Sequence, residues 1–364
     1  MRTSPAKGGT EQLKPGCPLL TSSRGGLGGS SYAWTQPLFN AATSSDLTTT
    51  TTIASYLNSN DECTCAVNLW TTITQCSTSF YTAQTTVPRV SRIISGTTAT
   101  AYSWPWQVAI CDDDACTNLL GGGSVVDETH IVTSGNTAVK IDVSTSVVKA
   151  GVFNVRSTAE NPLDGDVGGD VQLVKVQEVV LHPSFDAANL ESLFAYDIAV
   201  LKLAIPLTLG DKVVPVCLPK SDADFVDINP PKDAFVTGWG HSDAADPNPS
   251  VPTVTGRLQQ ASVTKVDYDS CVQEYTPLLG AISTPETDML CYSSAQSYAC
   301  TFDSGGPLVG RASGDAPFFL YGVLSETPAV SCTQLTAVYG RVSGLLCANP
   351  QFIDAAFDGL DPCV

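Results

Sequence analysis

Apolar and polar positions alternate in short bursts along most of this chain. The clearest burst is Val171-Gln-Leu-Val-Lys-Val-Gln-Glu-Val-Val-Leu181, whose period of two ends at His182-Pro183, as in a half-buried strand running into a turn. Shorter runs of the same character lie at 107–110, 124–126, 198–203, 234–237 and 259–264, with turn residues between them. Helix signals are few, one from Asp267 to Tyr275 and one after Pro350 through Phe357. Many short strands without long helices between them predict an all-β barrel or sandwich.

The first 92 residues do not share this pattern. Arg24-Gly-Gly-Leu-Gly-Gly-Ser30 and the threonine run 48–52 are linker chemistry, so residues 1–92 read as a Ser/Thr/Gly-rich, cysteine-containing appendage and 93–364 as the globular domain. Charge divides the same way. The appendage carries six Lys/Arg against four Asp/Glu, the domain twelve against thirty-two, a balance that repels nucleic acid and anionic membranes. Thirteen cysteines point to an oxidising compartment. With three histidines and no Cys-x-x-Cys beside a His-x-x-x-His, no zinc site is expected, and no other cofactor is indicated. No apolar run approaches the length of a membrane span. Residues 1–30 lack the apolar core of a signal peptide, and no Asn-x-Ser/Thr sequon occurs. The cysteines nonetheless favour secretion, with the leader missing from this start.

Candidate chemistry is concentrated in Cys300-Thr-Phe-Asp-Ser-Gly-Gly-Pro-Leu308. Two glycines after a serine permit a tight turn that presents the Ser304 hydroxyl, with the amides of Phe302 and Ser304 near any anion formed beside it. An ordinary Gly-Pro turn is the plain alternative. Asp-Ser-Gly-Gly-Pro-Leu resembles the nucleophile loop of the chymotrypsin/trypsin-type serine proteases. Further matches follow in that family's order: Ser103-Trp-Pro-Trp-Gln-Val-Ala-Ile110, Gly121-Gly-Gly-Ser-Val-Val126, Tyr196-Asp-Ile-Ala-Val-Leu201, Val214-Pro-Val-Cys-Leu-Pro219, Thr237-Gly-Trp-Gly240, Arg257–Ser262, Met289-Leu-Cys291 and Val338-Tyr-Gly-Arg-Val-Ser343. The resemblance implies two antiparallel six-stranded β-barrels with the active site between them and a C-terminal helix. It also implies an activation cleavage after Arg92, freeing Ile93 to pair with Asp303; an incidental basic residue in a loop is the alternative.

A serine hydroxyl needs a neighbouring base to take its proton. In the family that base is a histidine held by a buried aspartate. Asp197 matches the aspartate and Ser304 the nucleophile, but Thr133-Ser-Gly-Asn-Thr137 stands where the histidine segment belongs, with Asn136 at the base position. Gly121 and Thr137 keep the spacing of a cysteine pair the family has there, so the region reads as remodelled rather than shifted. His130, His182 and His241 read as surface or loop histidines. Phe302 replaces an oxyanion-hole glycine, Tyr298 sits at the base of the specificity pocket, and Ser325-Glu326-Thr327 replaces the strand that pairs with substrate. The chain therefore resembles the non-catalytic serine protease homologues.

Among the cysteines, Cys271–Cys291 and Cys300–Cys332 match family disulfides, and Cys217 matches the cysteine that tethers the N-terminal segment, with Cys76 as its partner. Spacing alone suggests Cys111–Cys116 and Cys347–Cys363. Cys17, Cys63 and Cys65 remain, an odd set. Cys63-Thr-Cys65 with Cys76 is similar to the start of the clip-type regions of arthropod serine protease homologues, but a clip domain has six cysteines and only four are here. Asp164, Asp166 and Asp170 cluster between Asn154 and Val171, as in a calcium-binding loop or a solvated acidic turn. The expected function is that of a secreted, inactive homologue serving as cofactor or binding module in an extracellular proteolytic cascade, with an activating protease and other extracellular proteins as partners. The alternatives are an active endopeptidase with an atypical base and a structural or adhesive protein.

Overall fold

The computed structural model describes residues 97–187, 194–219, 233–240, 256–279, 282–294, 303–311, 317–325 and 336–363, with four short strands before residue 66. The chain divides into two compact units, Met1–Thr71 and Thr72–Val364. In the first, β1 (Thr21–Ser22) pairs antiparallel with β2 (Thr51–Thr52), and β3 (Ser55–Leu57) with β4 (Cys63–Cys65).

The second unit opens with β5 (Thr97–Thr98) and then forms a closed barrel. Its strands are β6 (Gln107–Cys111), β7 (Leu119–Val125), β8 (His130–Thr133), β9 (Val147–Ala150), β10 (Gln172–Leu181) and β11 (Ala199–Leu203), in the order β10-β11-β8-β7-β6-β9. The alternation read along 171–181 holds through Val174 and Val176, both buried. A register shift between Val176 and Glu178 then changes its phase, because an extra residue in one strand turns every later side chain to the other face. Leu181, at the end of the strand, is exposed.

The remaining strands are β12 (Asp233–Gly238), β13 (Gln259–Ser262), β14 (Thr264–Lys265), β15 (Met289–Ser293), β16 (Pro307–Arg311), β17 (Phe319–Leu324) and β18 (Ala337–Arg341), in the order β14-β15-β18-β17-β16-β12-β13-β5. β13 and β14 are two halves of one strand bent at Val263. The first half pairs with β12 and the second with β15, so a single bend carries the sheet around into a second six-stranded ring. The double-barrel architecture is that expected from the sequence. Two longer helices accompany it. One is Tyr268–Leu279, which runs past the expected end at Tyr275 with Pro277 near its C-terminus. The other is Pro350–Phe357, with Asn349 as N-cap and Asp358 ending it in the left-handed conformation.

Aromatic packing joins the barrels. Trp104, just before β6, lies 5.2 Å from the Phe235 ring of β12 and 5.5 Å from Phe318, beside β17, and its indole N–H donates to Gln260 at 2.8 Å. A second connection is the loop after β9. Asp166 is buried and accepts from the amides of Phe153 (2.8 Å) and Asn154 (2.9 Å), from the Ser157 hydroxyl and from the Tyr102 hydroxyl (2.7 Å). With the loop so folded, the Phe153 carbonyl accepts from Trp239 Nε1 and from the Leu258 amide, and Val155 N–H donates to Gly256 O, all on the second barrel. The three aspartates of this segment thus do not converge. Asp164 pairs with Arg257 and Asp170 with Lys212, both accessible to solvent, while Asp166 alone is buried and holds the loop. Among the described residues no group of three His, Cys, Asp or Glu is placed to hold a metal ion.

Because four donors converge on one buried carboxylate, Asp166→Ala is expected to destabilise the protein by about 3 kcal/mol or more, at roughly 1–3 kcal/mol per stranded buried group. Urea unfolding measures this. A loss below about 1 kcal/mol would mean that the loop does not depend on Asp166.

Candidate active site

Asp197 lies in a sharp turn immediately before β11. Tyr196 has a φ of +56°, and Ile198 N–H donates back to Tyr196 O at 2.8 Å, so the chain reverses around Asp197 and drives its side chain inward, fully buried. Opposite it stands a one-turn helix, α1 (Gly135–Ala138), capped by the Ser134 hydroxyl. Asn136 in that turn donates twice to Asp197, from its backbone N–H to Oδ1 at 2.8 Å and from Nδ2 to Oδ2 at 2.9 Å. Both carboxylate oxygens therefore accept from one residue.

Ser304 comes in from the second barrel. Gly305 carries the turn at a φ of +81°, and a Cβ there would lie 2.2 Å from Thr133 Oγ1 and 2.4 Å from Gly122 O, so only glycine fits. Ser304 O accepts from Gly122 N–H at 2.8 Å, and Gly305 N–H donates to Leu324 O. The nucleophile loop is thus pinned between β7 and β17. Ser304 is buried, and its hydroxyl donates to the Ser325 carbonyl at 3.5 Å, the limit of hydrogen-bond distance. No hydrogen bond joins it to Asn136, whose amide is committed to Asp197 and is shorter than an imidazole. Ser325 is itself buried, with an unpartnered hydroxyl.

The positions Gly121 and Thr137 face each other beneath this loop. A Cβ on Gly121 would lie 2.6 Å from Thr137 Oγ1 and 2.5 Å from Ser304 O, so the threonine side chain and the serine carbonyl fill the space between them. Asp303 turns the other way. Its Oδ1 accepts from Gly240 N–H at 2.8 Å, and a Cβ on Gly238 or Gly240 would lie within 2.5 Å of its carboxylate. The cradle for this buried acid is therefore Gly238-Trp-Gly240, which sequence reading used as a fold marker without assigning it a role. The alternating glycines were the available signal.

Neither described histidine is placed to serve Ser304: His130 lies in strand β8 and not at the surface or in a loop, while His182 lies in the expected turn but is buried. His130 is buried, its Nδ1 2.7 Å from Asp127 Oδ2 and its ring against Phe357. His182 is buried beside Tyr196. Apolar partners from the C-terminal helix cover both, a long-range contact that local polarity does not signal. Three disulfides close within the described residues, Cys111–Cys116, Cys271–Cys291 and Cys347–Cys363, and Cys217 is also disulfide-bonded. Tyr298, Cys300, Phe302, Glu326, Thr327, Cys332, Cys76, Arg92, Ile93 and His241 lie outside the described residues.

Two barrels meeting at a Ser-Gly-Gly turn, with a buried aspartate across from the serine, define a chymotrypsin-like serine protease domain. The family model described as Trypsin matches residues 93–346, and the chain belongs to that family. It is similar to ovochymase of Halocynthia roretzi, 31% identical over 257 residues that make up 70% of this chain and 14% of that protein. It is also similar to serine proteinase stubble of Drosophila melanogaster, 30% identical over 262 residues, 70% of this chain and 30% of that protein. The chain thus spans less than a third of the length of either relative.

The floor beneath Ser304 is tight enough to test. Gly121→Ala is expected to destabilise by about 1–3 kcal/mol, the usual cost of overpacking a filled core. Thr137→Ala should recover only part of that loss, because the backbone contact with Ser304 O remains. Full recovery in the double variant, read by thermal unfolding, would mean that the loop itself gives way.

Proposed function

We propose that this chain is a secreted trypsin-family homologue with a catalytically silent site, acting as a regulatory cofactor or binding module in an extracellular proteolytic cascade of the kind used in arthropod innate immunity. The observation that carries the reading is the Asn136–Asp197 pair. An amide is not a base, and this one already donates to both oxygens of the aspartate, so among the described residues no base stands beside Ser304 to take its proton. An imidazole brought in by a substrate would find Asp197 already taken. Loss of the histidine alone costs a serine protease on the order of 10⁶ in turnover. The cysteine content and the disulfides support an oxidising, extracellular setting, and no described helix is long and apolar enough to cross a membrane.

In this reading residues 93–364 form the protease-like domain and 1–92 its appendage. Cleavage after Arg92 by an activating protease frees Ile93 toward Asp303 and reorganises the surface for binding other cascade proteins. A partner that bound cut and uncut protein equally well would remove cleavage from the mechanism.

The decisive experiment treats protein cut after Arg92 with a fluorophosphonate probe. The unaltered chain is expected to label no faster than Ser304→Ala, while Asn136→His, which restores a base, labels faster than either. Labelling of the unaltered chain that disappears in Ser304→Ala would establish a working endopeptidase with another base.

A further inference from the structure

The turn 182–185 touches three separate pieces of the fold. The His182 ring stacks on Tyr196, with centroids 4.9 Å apart and planes 10° from parallel, and His182 N–H donates to Ile198 O at 3.1 Å. Tyr196 and Ile198 flank Asp197. Three residues on, the Phe185 ring packs against Gly135 so closely that a Cβ there would lie 2.9 Å from it; Gly135 is the residue before Asn136. On the far side His182 meets the C-terminal helix, edge-on to Phe352 at 5.3 Å and with Nε2 3.0 Å from Asn349 Nδ2.

The hydrogen-bond geometry around this ring is one-sided. Nδ1 faces the Ser184 backbone N–H at 3.2 Å, a donor whatever the state of the ring. Nε2 faces the Asn349 amide nitrogen, because Asn349 Oδ1 is engaged in capping the helix through Phe352 N–H at 3.1 Å. Both ring nitrogens thus look at N–H groups. A neutral imidazole offers one lone pair to them, an imidazolium none.

We propose that His182 is an acid-sensitive latch: while neutral it fastens the C-terminal helix to the two segments that carry Asn136 and Asp197, and on taking up a proton it lets them go. Protonation removes the ring's one lone pair, so neither the Ser184 nor the Asn349 N–H keeps an acceptor there, and the contact between the ring edge and the helix cap loosens. Burial pushes the His182 pKa down. Asp288 is the charged group that favours the imidazolium, and the Tyr196 face acts in the same direction, but these do not restore the ordinary value. A histidine whose folded pKa is depressed leaves the closed state at full strength above the unfolded value of about 6.5. Closure then weakens as pH falls below that value toward the lowered one. The Cys347–Cys363 disulfide keeps the helix tethered throughout, so the opening is local. The latch does not depend on whether Ser304 reacts.

The test is amide hydrogen exchange on the full chain at pH 7.5 and 5.5, corrected for intrinsic rates, together with an NMR titration of its three histidines. Opening of 350–357 and 196–198 is expected to increase up to about tenfold at the lower pH, the limit for one proton over one pH unit. It should stay flat in His182→Phe, which keeps the stack and cannot titrate. Equal pH dependence in that variant, or none in the unaltered chain, would overturn the latch. Should His182→Phe fail to fold, the titration decides: a His182 midpoint at or above about 6.5 overturns it, and a lower one supports it.

Discussion

The buried carboxylate of Asp197 constrains the centre of this molecule more than any other group. A charge taken out of water must be met by donors of good geometry, and removing such a partner from a buried ionic site typically costs about 3–5 kcal/mol. Any residue at position 136 therefore has to satisfy Asp197 before it can do anything else. Asparagine meets that demand with two hydrogen bonds from a single residue. It presents N–H to the carboxylate as an imidazole would, and it brings no basic nitrogen for the serine. The fold keeps its buried acid satisfied without an imidazole at this position.

The same economy of space governs the nucleophile loop. Ser304 is held through backbone atoms, by Gly122 N–H on its carbonyl and by Leu324 O on the next amide, so its position does not depend on a partner for its hydroxyl. Gly121 and Thr137 give the loop a floor made by van der Waals contact. In consequence the serine, the aspartate and the surrounding barrels keep their places with asparagine at position 136. A retained Asp-Ser-Gly-Gly sequence is evidence of the turn, and only the residue facing Asp197 tells whether the turn is used.

Much of this was legible in the sequence. Short strands and the helix after Pro350 follow from alternation and capping signals, the double barrel from the resemblance that the ordered motifs carry, and the interest in Asn136 from that same resemblance. What escaped shares one physical cause, dependence on distant partners. The aspartates at 164, 166 and 170 read as one acidic cluster, yet Arg257, Lys212 and a set of backbone amides separate them. His130 and His182 look like loop residues until Phe357 and Phe352 arrive from the end of the chain to bury them. The phase change in β10 is likewise set by a bulge against β11 and not by any feature of its own composition.

These long-range partners also explain how a domain whose sequence is strongly acidic holds together around carboxylates. Asp166 sits among amides and hydroxyls, Asp197 against an amide helix turn, and Asp303 in a glycine cradle whose backbone N–H reaches it. Each of these acids fixes backbone that belongs to another part of the chain: the interbarrel loop, the turn opposite Ser304, and the strand behind it. Hydrogen bonds from neutral donors weaken little with ionic strength compared with exposed ion pairs. The architecture around Asp197 and Ser304 is therefore set by geometry that salt barely reaches.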